Sequence, residues 1–233
     1  MQQTALNIIA IGIFSMTLLV LLTPILNINP MIPAASTLAV LSLITVDTLT
    51  LQGKGANLFL DWVASFSPQH RQRIVRHEAG HFLVAYFLGI PIEGYTLNAW
   101  EALQQGQPGV GGVKFDTKVL EKKAKSPGEM RLLLDRFCTV WMAGIAAESL
   151  IYATVEGGGE DKAKVKQALI DFGHPEAEYQ QKEAWALLQA KTLIEKYASA
   201  YEALVAAMTK RTSVQECAEI IQENCGEVDA IAS

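Results

Sequence analysis

The chain has 233 residues and a formal net charge of −5, a length that suits one sizeable core with appendages. The negative charge argues against nucleic acid as a partner, because surfaces that bind phosphates carry clustered Lys and Arg. Its cysteines, Cys138, Cys217 and Cys225, form no C-x-x-C pair, so the sequence indicates neither a disulfide framework nor a Cys-ligated zinc site.

The first fifty residues are the most apolar part of the chain. Residues 5–26 form an apolar run that would reach about 30 Å as a helix, one hydrocarbon thickness, and this predicts a transmembrane helix. Residues 31–51 form a weaker run, interrupted by Asp47 and several threonines, which could span the membrane, lie buried or be re-entrant. No Lys or Arg precedes the first run, unlike in a cleavable signal peptide. We therefore expect a retained anchor of one or two spans in residues 1–53.

The basic residues nearest to the anchor indicate its orientation. Lys54, Arg71, Arg73 and Arg76 all follow the apolar block, and Lys and Arg beside a span favour the cytoplasmic side. We expect the domain of residues 54–233 on the cytoplasmic or stromal side of a plasma or thylakoid membrane.

The next predicted element is a helix over residues 68–88, with the sequence "PQHRQRIVRHEAGHFLVAYFL". Pro68 suits its first turn, Gly89 suits its C-terminal cap, and Pro91 prevents it from continuing. Its second half, residues 82–88, is apolar on nearly every side and is predicted to be buried.

This helix contains the pattern H-E-x-x-H. His77 and His81 are four residues apart, so both imidazoles can face one ion, and zinc favours that pairing. Glu78 is rotated by about 100° from His77, which suits a general base acting on water beside the ion. A catalytic zinc needs a third protein ligand. The residues alone leave several candidates open: His70, His174, Glu148, Glu156, Glu160 and Asp161.

Beyond this helix, the sequence predicts a small hairpin and further helices. Residues with strand propensity bracket a loop rich in Gln, Gly and Pro: Tyr95, Leu97, Val110, Val113 and Phe115. The segment "SPGE" at 126–129 is a capping box with Pro in the first turn, and it opens a helix through residue 152. Small residues at 143–147 would let another element approach closely.

The rest of the chain is predicted to be helical. A glycine-rich stretch at 155–160 leads into a helix, but neither it nor "QGKGAN" at 52–57 has phosphate-loop spacing, so no ATP site is expected. A long helix over about residues 175–208 and a short one over 214–222 follow. The long helix is expected to bury a set of regularly spaced side chains: Trp185, Leu188, Thr192, Tyr197, Tyr201 and Leu204.

The segments "HEAGH" and "MAGIAAESLIYATVEGGGEDKAKVKQAL" together resemble the peptidase domain of the FtsH family of membrane-bound zinc metalloproteases, over roughly residues 67–222. The resemblance implies that His77 and His81 bind Zn²⁺, that Glu78 is the catalytic base, and that Asp161 is the third metal ligand. It also places Glu148 on a glutamate of the family's A-A-E segment, with a supporting or structural role.

The chain departs from the family pattern in two places. Ile145 stands where the family usually has Arg. Only residues 52–66 separate the second apolar run from the predicted ligand helix, whereas the family has an ATPase module between anchor and peptidase domain. The chain therefore resembles the shortened relatives without ATPase found in cyanobacteria and plastids.

These observations predict a mainly α fold with a small β hairpin, in the form of an FtsH-like helical metallopeptidase domain behind an N-terminal transmembrane anchor. The expected activity is zinc-dependent endopeptidase cleavage of unfolded or extended protein segments, with a homo-oligomer or a membrane-protein partner as a further expectation. Two alternatives stay open: a non-proteolytic FtsH-like membrane scaffold or regulatory partner, and a site-2-type intramembrane metalloprotease. The arginines before His77 disfavour the second, because they would place charge in hydrocarbon.

Overall fold

The computed structural model of the chain describes residues 2–50, 55, 59, 63–64, 67–104, 111–116 and 126–225. The chain divides into two compact units, Met1–Ser67 and Pro68–Ser233. The described part is mainly helical with one two-stranded sheet, which confirms the predicted fold class at that level. The predicted boundary between residues 53 and 54 lies outside the described residues.

The first unit contains two apolar helices, α1 (Gln2–Leu22) and α2 (Met31–Thr50). Within the described residues, α2 alone is long and apolar enough to cross a membrane, with a mean hydropathy of 1.6, and the apolar part of α1, Leu6–Leu22, is shorter. A signal sequence near an N-terminus can meet the same criterion. The apolar part of the first predicted span is thus shorter than α2, although residues 5–26 form the stronger apolar run in the sequence.

The second unit begins with α3 (Pro68–Phe87), which confirms the predicted helix to within one residue. Gly89 ends it with a φ of 68°, and the N–H of Ile90 donates to the Ala85 carbonyl at 2.9 Å. This is the glycine-terminated helix end that the sequence predicts. The residues from Phe82 to Ala85 are fully buried, whereas the last turn of the helix is half-buried.

The predicted hairpin is present as β1 (Ile92–Thr96) and β2 (Gly112–Phe115), paired antiparallel with an irregularity after Ile92. The predicted strand residue Val110 lies outside the described residues. A short helix not expected from the sequence, α4 (Ala99–Gln104), follows β1. The pattern N-x-x-E marks the start of this helix, because the Asn98 side chain accepts a hydrogen bond from the Glu101 N–H at 2.8 Å.

Helix α5 (Pro127–Ile151) is the longest helix of the described residues, and it begins at the predicted capping box. Ser126 accepts a bond from the backbone N–H of Glu129, and the Glu129 side chain accepts one from the N–H of Ser126. Helix α6 (Gly159–Asp171) then follows the glycine-rich loop, as expected.

The C-terminal part differs from the single long helix predicted over 175–208. It consists of a 3-10 turn at Glu176–Glu178, then α7 (Tyr179–Lys196) and α8 (Ala198–Thr209). The break falls at Tyr197, whose ψ of 39° is not helical. It lets α7 pack mainly on α5 while α8 packs on α3 and on the last helix, α9 (Val214–Asn224).

The predicted buried face of this region is confirmed only in part. Tyr197, Tyr201 and Leu204 are buried, but Trp185 and Leu188 are 58% and 54% exposed and Thr192 is exposed too, so that part of the prediction was wrong. The face of α7 toward the core carries two alanines and an isoleucine instead: Ala186, Ala190 and Ile194. The sequence prediction selected the stripe with the larger side chains, but the alanines allow the closer helix packing.

The centre of the second unit is the contact between α3 and α5. Gly80 lies against α5 so closely that a Cβ there would stand 2.6 Å from the Ala143 carbonyl oxygen and 2.8 Å from the Ala147 Cβ. The predicted close approach at residues 143–147 is therefore confirmed, and the element that approaches is α3, which carries His77 and His81. This packing sets the distance between α3 and α5 around the two histidines.

Candidate metal centre

Three of the predicted site residues come together in the second unit. His77 and His81 lie on consecutive turns of α3, and Asp161 lies in the first turn of α6; all three are buried. One ligand atom from each lies within 4.8 Å of the others. The group could therefore hold a metal ion.

His77 is oriented by a carboxylate of the neighbouring helix. Its Nδ1 lies 2.8 Å from Glu148 Oε1, so the Nδ1–H donates to Glu148 and leaves Nε2 facing Asp161. A carboxylate behind an imidazole fixes its tautomer and raises its basicity as a ligand. Gly144 makes room for the ring, because a Cβ there would stand 2.2 Å from His77 Nε2.

His81 is oriented by the backbone instead. Its Nδ1–H donates to the Val140 carbonyl at 2.6 Å, which again leaves Nε2 for an ion. The two imidazole rings stand edge to face, with centroids 4.8 Å apart and planes at 72°. Both histidines thus present the same nitrogen to one point.

Asp161 completes the group from the opposite side. Its Oδ2 lies 3.2 Å from His77 Nε2 and 3.4 Å from His81 Nε2. Ligand atoms around a tetrahedral metal ion at about 2.0 Å stand about 3.3 Å apart, so these two spacings suit a metal ion between the three residues. Lys164 Nζ lies 3.1 Å from the other oxygen, Oδ1, and leaves Oδ2 to the metal position.

Glu78 lies beside this group and is also buried. Among the described residues, its Oε2 has no hydrogen-bond partner. A buried carboxylate oxygen without a partner is uncommon, because such groups are normally bonded. It is free to accept a proton from a small polar molecule in the site.

Burial and pairing shift the pKa values of these groups in opposite directions. Burial alone would lower the pKa of His77, but its bonds to Asp161 and Glu148 outweigh this and raise the pKa to about 10. Burial would likewise raise the pKa of Asp161, yet His81 and His77 hold it well below its ordinary value. The pKa of Glu78 is raised, because its burial outweighs the attraction of His81 and His77.

Glu148 is not available as a metal ligand, because its oxygens are already bonded. Besides the His77 N–H, it accepts the backbone N–H groups of Glu156 and Gly157, at 2.9 and 3.2 Å, and Nη1 of Arg73 at 3.4 Å. A carboxylate offers about four acceptor positions. Burial alone would raise the pKa of Glu148, but His77, the Glu156 N–H and Arg73 hold it below its ordinary value.

The remaining candidate ligands lie outside the group. Glu156 pairs with Arg73 at 3.1 Å, and Glu160 is exposed at the start of α6. His174 pairs with Glu178 at 2.9 Å, and His70 lies two turns before His77 on α3. In the part of the chain that the structure describes, only His77, His81 and Asp161 form a group of this kind.

Four residues that support the site were not predicted from the sequence to do so: Arg73, Val140, Gly144 and Lys164. Lys164 is the most accessible to sequence reasoning, since a Lys three residues after an Asp on a helix pairs with it. Gly144 carried a weak signal as a glycine inside a helix. Val140 contributes only its carbonyl oxygen, which no side-chain pattern can reveal.

Comparison with models of known protein families gives no match, and comparison with curated proteins gives none either. The resemblance to the FtsH family therefore rests on the motifs quoted above. The class of site rests on the geometry of the buried His, His and Asp group.

Proposed function

We propose that the chain is a membrane-anchored zinc-dependent endopeptidase of the FtsH type. The observation that carries the proposal is a buried His77, His81 and Asp161 group beside Glu78, whose Oε2 has no partner in the part of the chain that the structure describes. A metal site alone would fit a structural role, but a structural zinc is normally closed by four protein ligands. Three ligands with a free carboxylate beside them fit a hydrolytic site better.

Zinc in this group would supply Lewis acidity toward a peptide carbonyl and lower the pKa of water toward about 7. The residues of the chain then have separate tasks. His77, His81 and Asp161 would hold the ion, while Glu148 and the Val140 carbonyl keep the imidazoles aligned. Glu78 would accept the proton of the attacking water at Oε2.

Glu78 would afterwards return that proton to the leaving amine. Its carboxylate is buried, and its Oε2 has no hydrogen-bond partner among the described residues, so both proton transfers could take place at that atom. Burial among the packed helices α3, α5 and α6 would limit the access of other water molecules.

We propose that the substrate is an extended segment that adds to the small sheet as a further strand. Within the described residues, β1 and β2 pair only with each other, and open strand edges bind peptides through backbone bonds. A peptide series with single N-methyl groups tests this: binding should weaken at every second position. Equal binding by all members would remove this part of the proposal.

The anchor is the apolar N-terminal unit. The large apolar side chains of α1 and α2 are mostly exposed within the chain, among them Ile11, Phe14 and Leu43. Exposed apolar surface on this scale needs a lipid or protein environment. We propose that these helices hold the enzyme at a plasma or thylakoid membrane, with the second unit on the cytoplasmic or stromal side.

The test pairs metal analysis with cleavage of unfolded casein by the detergent-solubilised full chain. Glu78→Gln should keep the zinc and lose cleavage by about 10²- to 10⁴-fold, the usual contribution of a general base. Asp161→Ala should lose the zinc, whereas the matched acid Glu160→Ala, one residue earlier, should keep both zinc and activity. If the wild type and Glu78→Gln both keep zinc and cleave casein equally, or if both keep zinc and neither cleaves casein, the scaffold function is favoured instead.

A further inference from the structure

Arg73 is the residue whose contacts the proposed function does not yet use. It lies on α3 one turn before His77, with its side chain 16% exposed. Its Nη1 lies 3.1 Å from the Thr154 carbonyl oxygen and 3.1 Å from Glu156 Oε1. Its guanidinium also lies over the Tyr152 ring, 4.3 Å from the centroid.

These partners all belong to the loop between α5 and α6, residues 152–158, which we call the linking loop. The linking loop also gives two backbone N–H groups, from Glu156 and Gly157, to Glu148. It passes close to the first ligand, since a Cβ on Gly157 would stand 3.1 Å from the His77 ring. It ends at the start of α6, in whose first turn lies Asp161.

The linking loop therefore joins the two halves of the metal centre. On one side it bonds the carboxylate that orients His77, and on the other it fixes the start of the helix that carries Asp161. Arg73 is the α3 side chain that bonds both this loop and Glu148 directly. The contacts of Arg73 thus bear on His77 of α3 through Glu148, and on Asp161 of α6 through the linking loop.

We propose that Arg73 is a positioning residue of the metal centre, which holds the linking loop on α3 and so sets the distance between the histidines and Asp161. The inference rests on the metal centre of the proposed function. Arg suits the task better than Lys, because its planar guanidinium can lie on the Tyr152 ring while Nη1 donates to the linking loop and Glu148.

Arg76 provides a matched control on the same helix. Its side chain is 14% exposed and it makes two bonds to Glu202 on α8, at 2.7 and 3.0 Å. Those bonds join α3 to α8, away from the linking loop. Arg76→Gln therefore removes a half-buried guanidinium and its ion pair, as Arg73→Gln does, without touching the loop.

The first measurement needs no metal. Hydrogen exchange of the metal-free full chain should show faster exchange of the 152–158 amides in Arg73→Gln, and wild-type exchange there in Arg76→Gln. Unchanged exchange of this segment in Arg73→Gln would overturn the inference whether or not the protein binds zinc.

The second measurement is metal affinity, by Zn²⁺ competition and by the visible spectrum of bound Co²⁺. Arg73→Gln should lose about 10-fold in affinity, the lower end for groups behind the ligands, with an altered Co²⁺ spectrum. Arg76→Gln should keep both. If the wild type binds metal and Arg73→Gln binds it with the same affinity, this inference is overturned but the proposed function is not. If the wild type binds neither Zn²⁺ nor Co²⁺, both are overturned.

Arg73→Lys separates position from charge and replaces Arg73→Gln where that variant unfolds. Lys keeps the positive charge near Glu148, but it has one donor group and no plane to stack on Tyr152. It should still lose about threefold or more in affinity. Wild-type affinity and wild-type loop exchange in Arg73→Lys would mean that charge alone suffices, and would overturn the assignment.

Discussion

The two histidines of the candidate metal centre are supported in different ways. His77 is held by a side chain, Glu148, which is itself bonded by the linking loop and Arg73. His81 is held by the Val140 carbonyl, a backbone atom inside α5. The His81 support exists as soon as α3 packs on α5, whereas the His77 support needs further side chains and a loop. Substitutions can therefore weaken one ligand while the other stays in place.

The largest effect on this comparison is expected from Gly144→Ala. A Cβ at this position would stand 2.2 to 2.5 Å from ring atoms of His77, so the ring must leave its place. We expect metal affinity to fall by more than about 100-fold, because a ligand itself is displaced rather than a group behind it. Isothermal titration of the metal-free protein with Zn²⁺ measures this.

Gly128→Ala on the same helix is the control for that experiment. A Cβ at Gly128 would meet no atom within 4 Å, so its affinity should equal that of the wild type. A Gly144→Ala protein that binds zinc as the wild type does would show that His77 is not a ligand.

A smaller loss is expected from Glu148→Gln. The amide keeps the shape of the side chain and can still accept the His77 N–H, but it lacks the negative charge that makes the imidazole a better ligand. Removal of such a group commonly lowers metal affinity by about 10- to 100-fold. The measurement is Zn²⁺ competition at fixed pH, and an affinity within twofold of the wild type would contradict the role assigned to Glu148.

The pH dependence of metal affinity should also report on the His77 side. In the metal-free protein the pKa of His77 is raised to about 10, so at neutral pH a metal must displace its proton. Affinity should then rise about tenfold per pH unit from pH 6.5 to 8.5, instead of levelling off above the ordinary histidine pKa of about 6.5. Titrations in buffers of different ionisation enthalpy would count the released proton.

The same raised pKa has a consequence for the stability of the metal-free protein. A group whose pKa is higher in the folded state stabilises the fold below its unfolded pKa, and that contribution is lost as the pH rises through the folded pKa. The contribution of His77 to the free energy of unfolding is therefore fully present below about pH 6.5, and it is lost as the pH rises through about 10. In the metal titrations described above, an affinity that levels off above pH 7 would show that Asp161 and Glu148 do not hold the proton of His77.

The smallest effect on affinity is expected on the His81 side, from Val140→Ala. Val140 is fully buried, and loss of its methyl groups should lower the free energy of unfolding by about 2 kcal/mol. The carbonyl that orients His81 stays, so metal affinity should remain within about threefold of the wild type. Chemical denaturation and Zn²⁺ competition on one sample separate the two effects. A loss of affinity of about tenfold would contradict the view that backbone packing alone supports His81.

Local signals in the sequence were enough to predict the helices that carry the site. Residues 126–129 form the capping box that opens α5, and Gly89 ends α3; each is a short-range feature that acts within one turn. The spacing of His77 and His81 likewise follows from helix geometry alone. The position of Asp161, in contrast, depends on how α6 packs, and the residues alone left it among several candidates until the family resemblance selected it.

Features that depend on long-range packing were not predictable in the same way. The break at Tyr197 and the exposure of Trp185 follow from α7 packing on α5 through small residues, and periodicity does not tell which of two apolar stripes faces inward. The roles of Arg73 and Val140 depend on partners more than fifty residues away in the chain. No local pattern could indicate them.

Among the described residues, Glu78 Oε2 has no hydrogen-bond partner, and this sets the proposed catalysis against the stability of the fold. A buried polar atom without a bond lowers the stability of the fold by about 1 to 3 kcal/mol, so the metal-free protein carries a penalty at the atom proposed for proton transfer. Variants selected only for heat resistance should lose Glu78 early, since an apolar residue of similar volume removes that penalty. Stability selection would then yield a sturdier protein with an inert site.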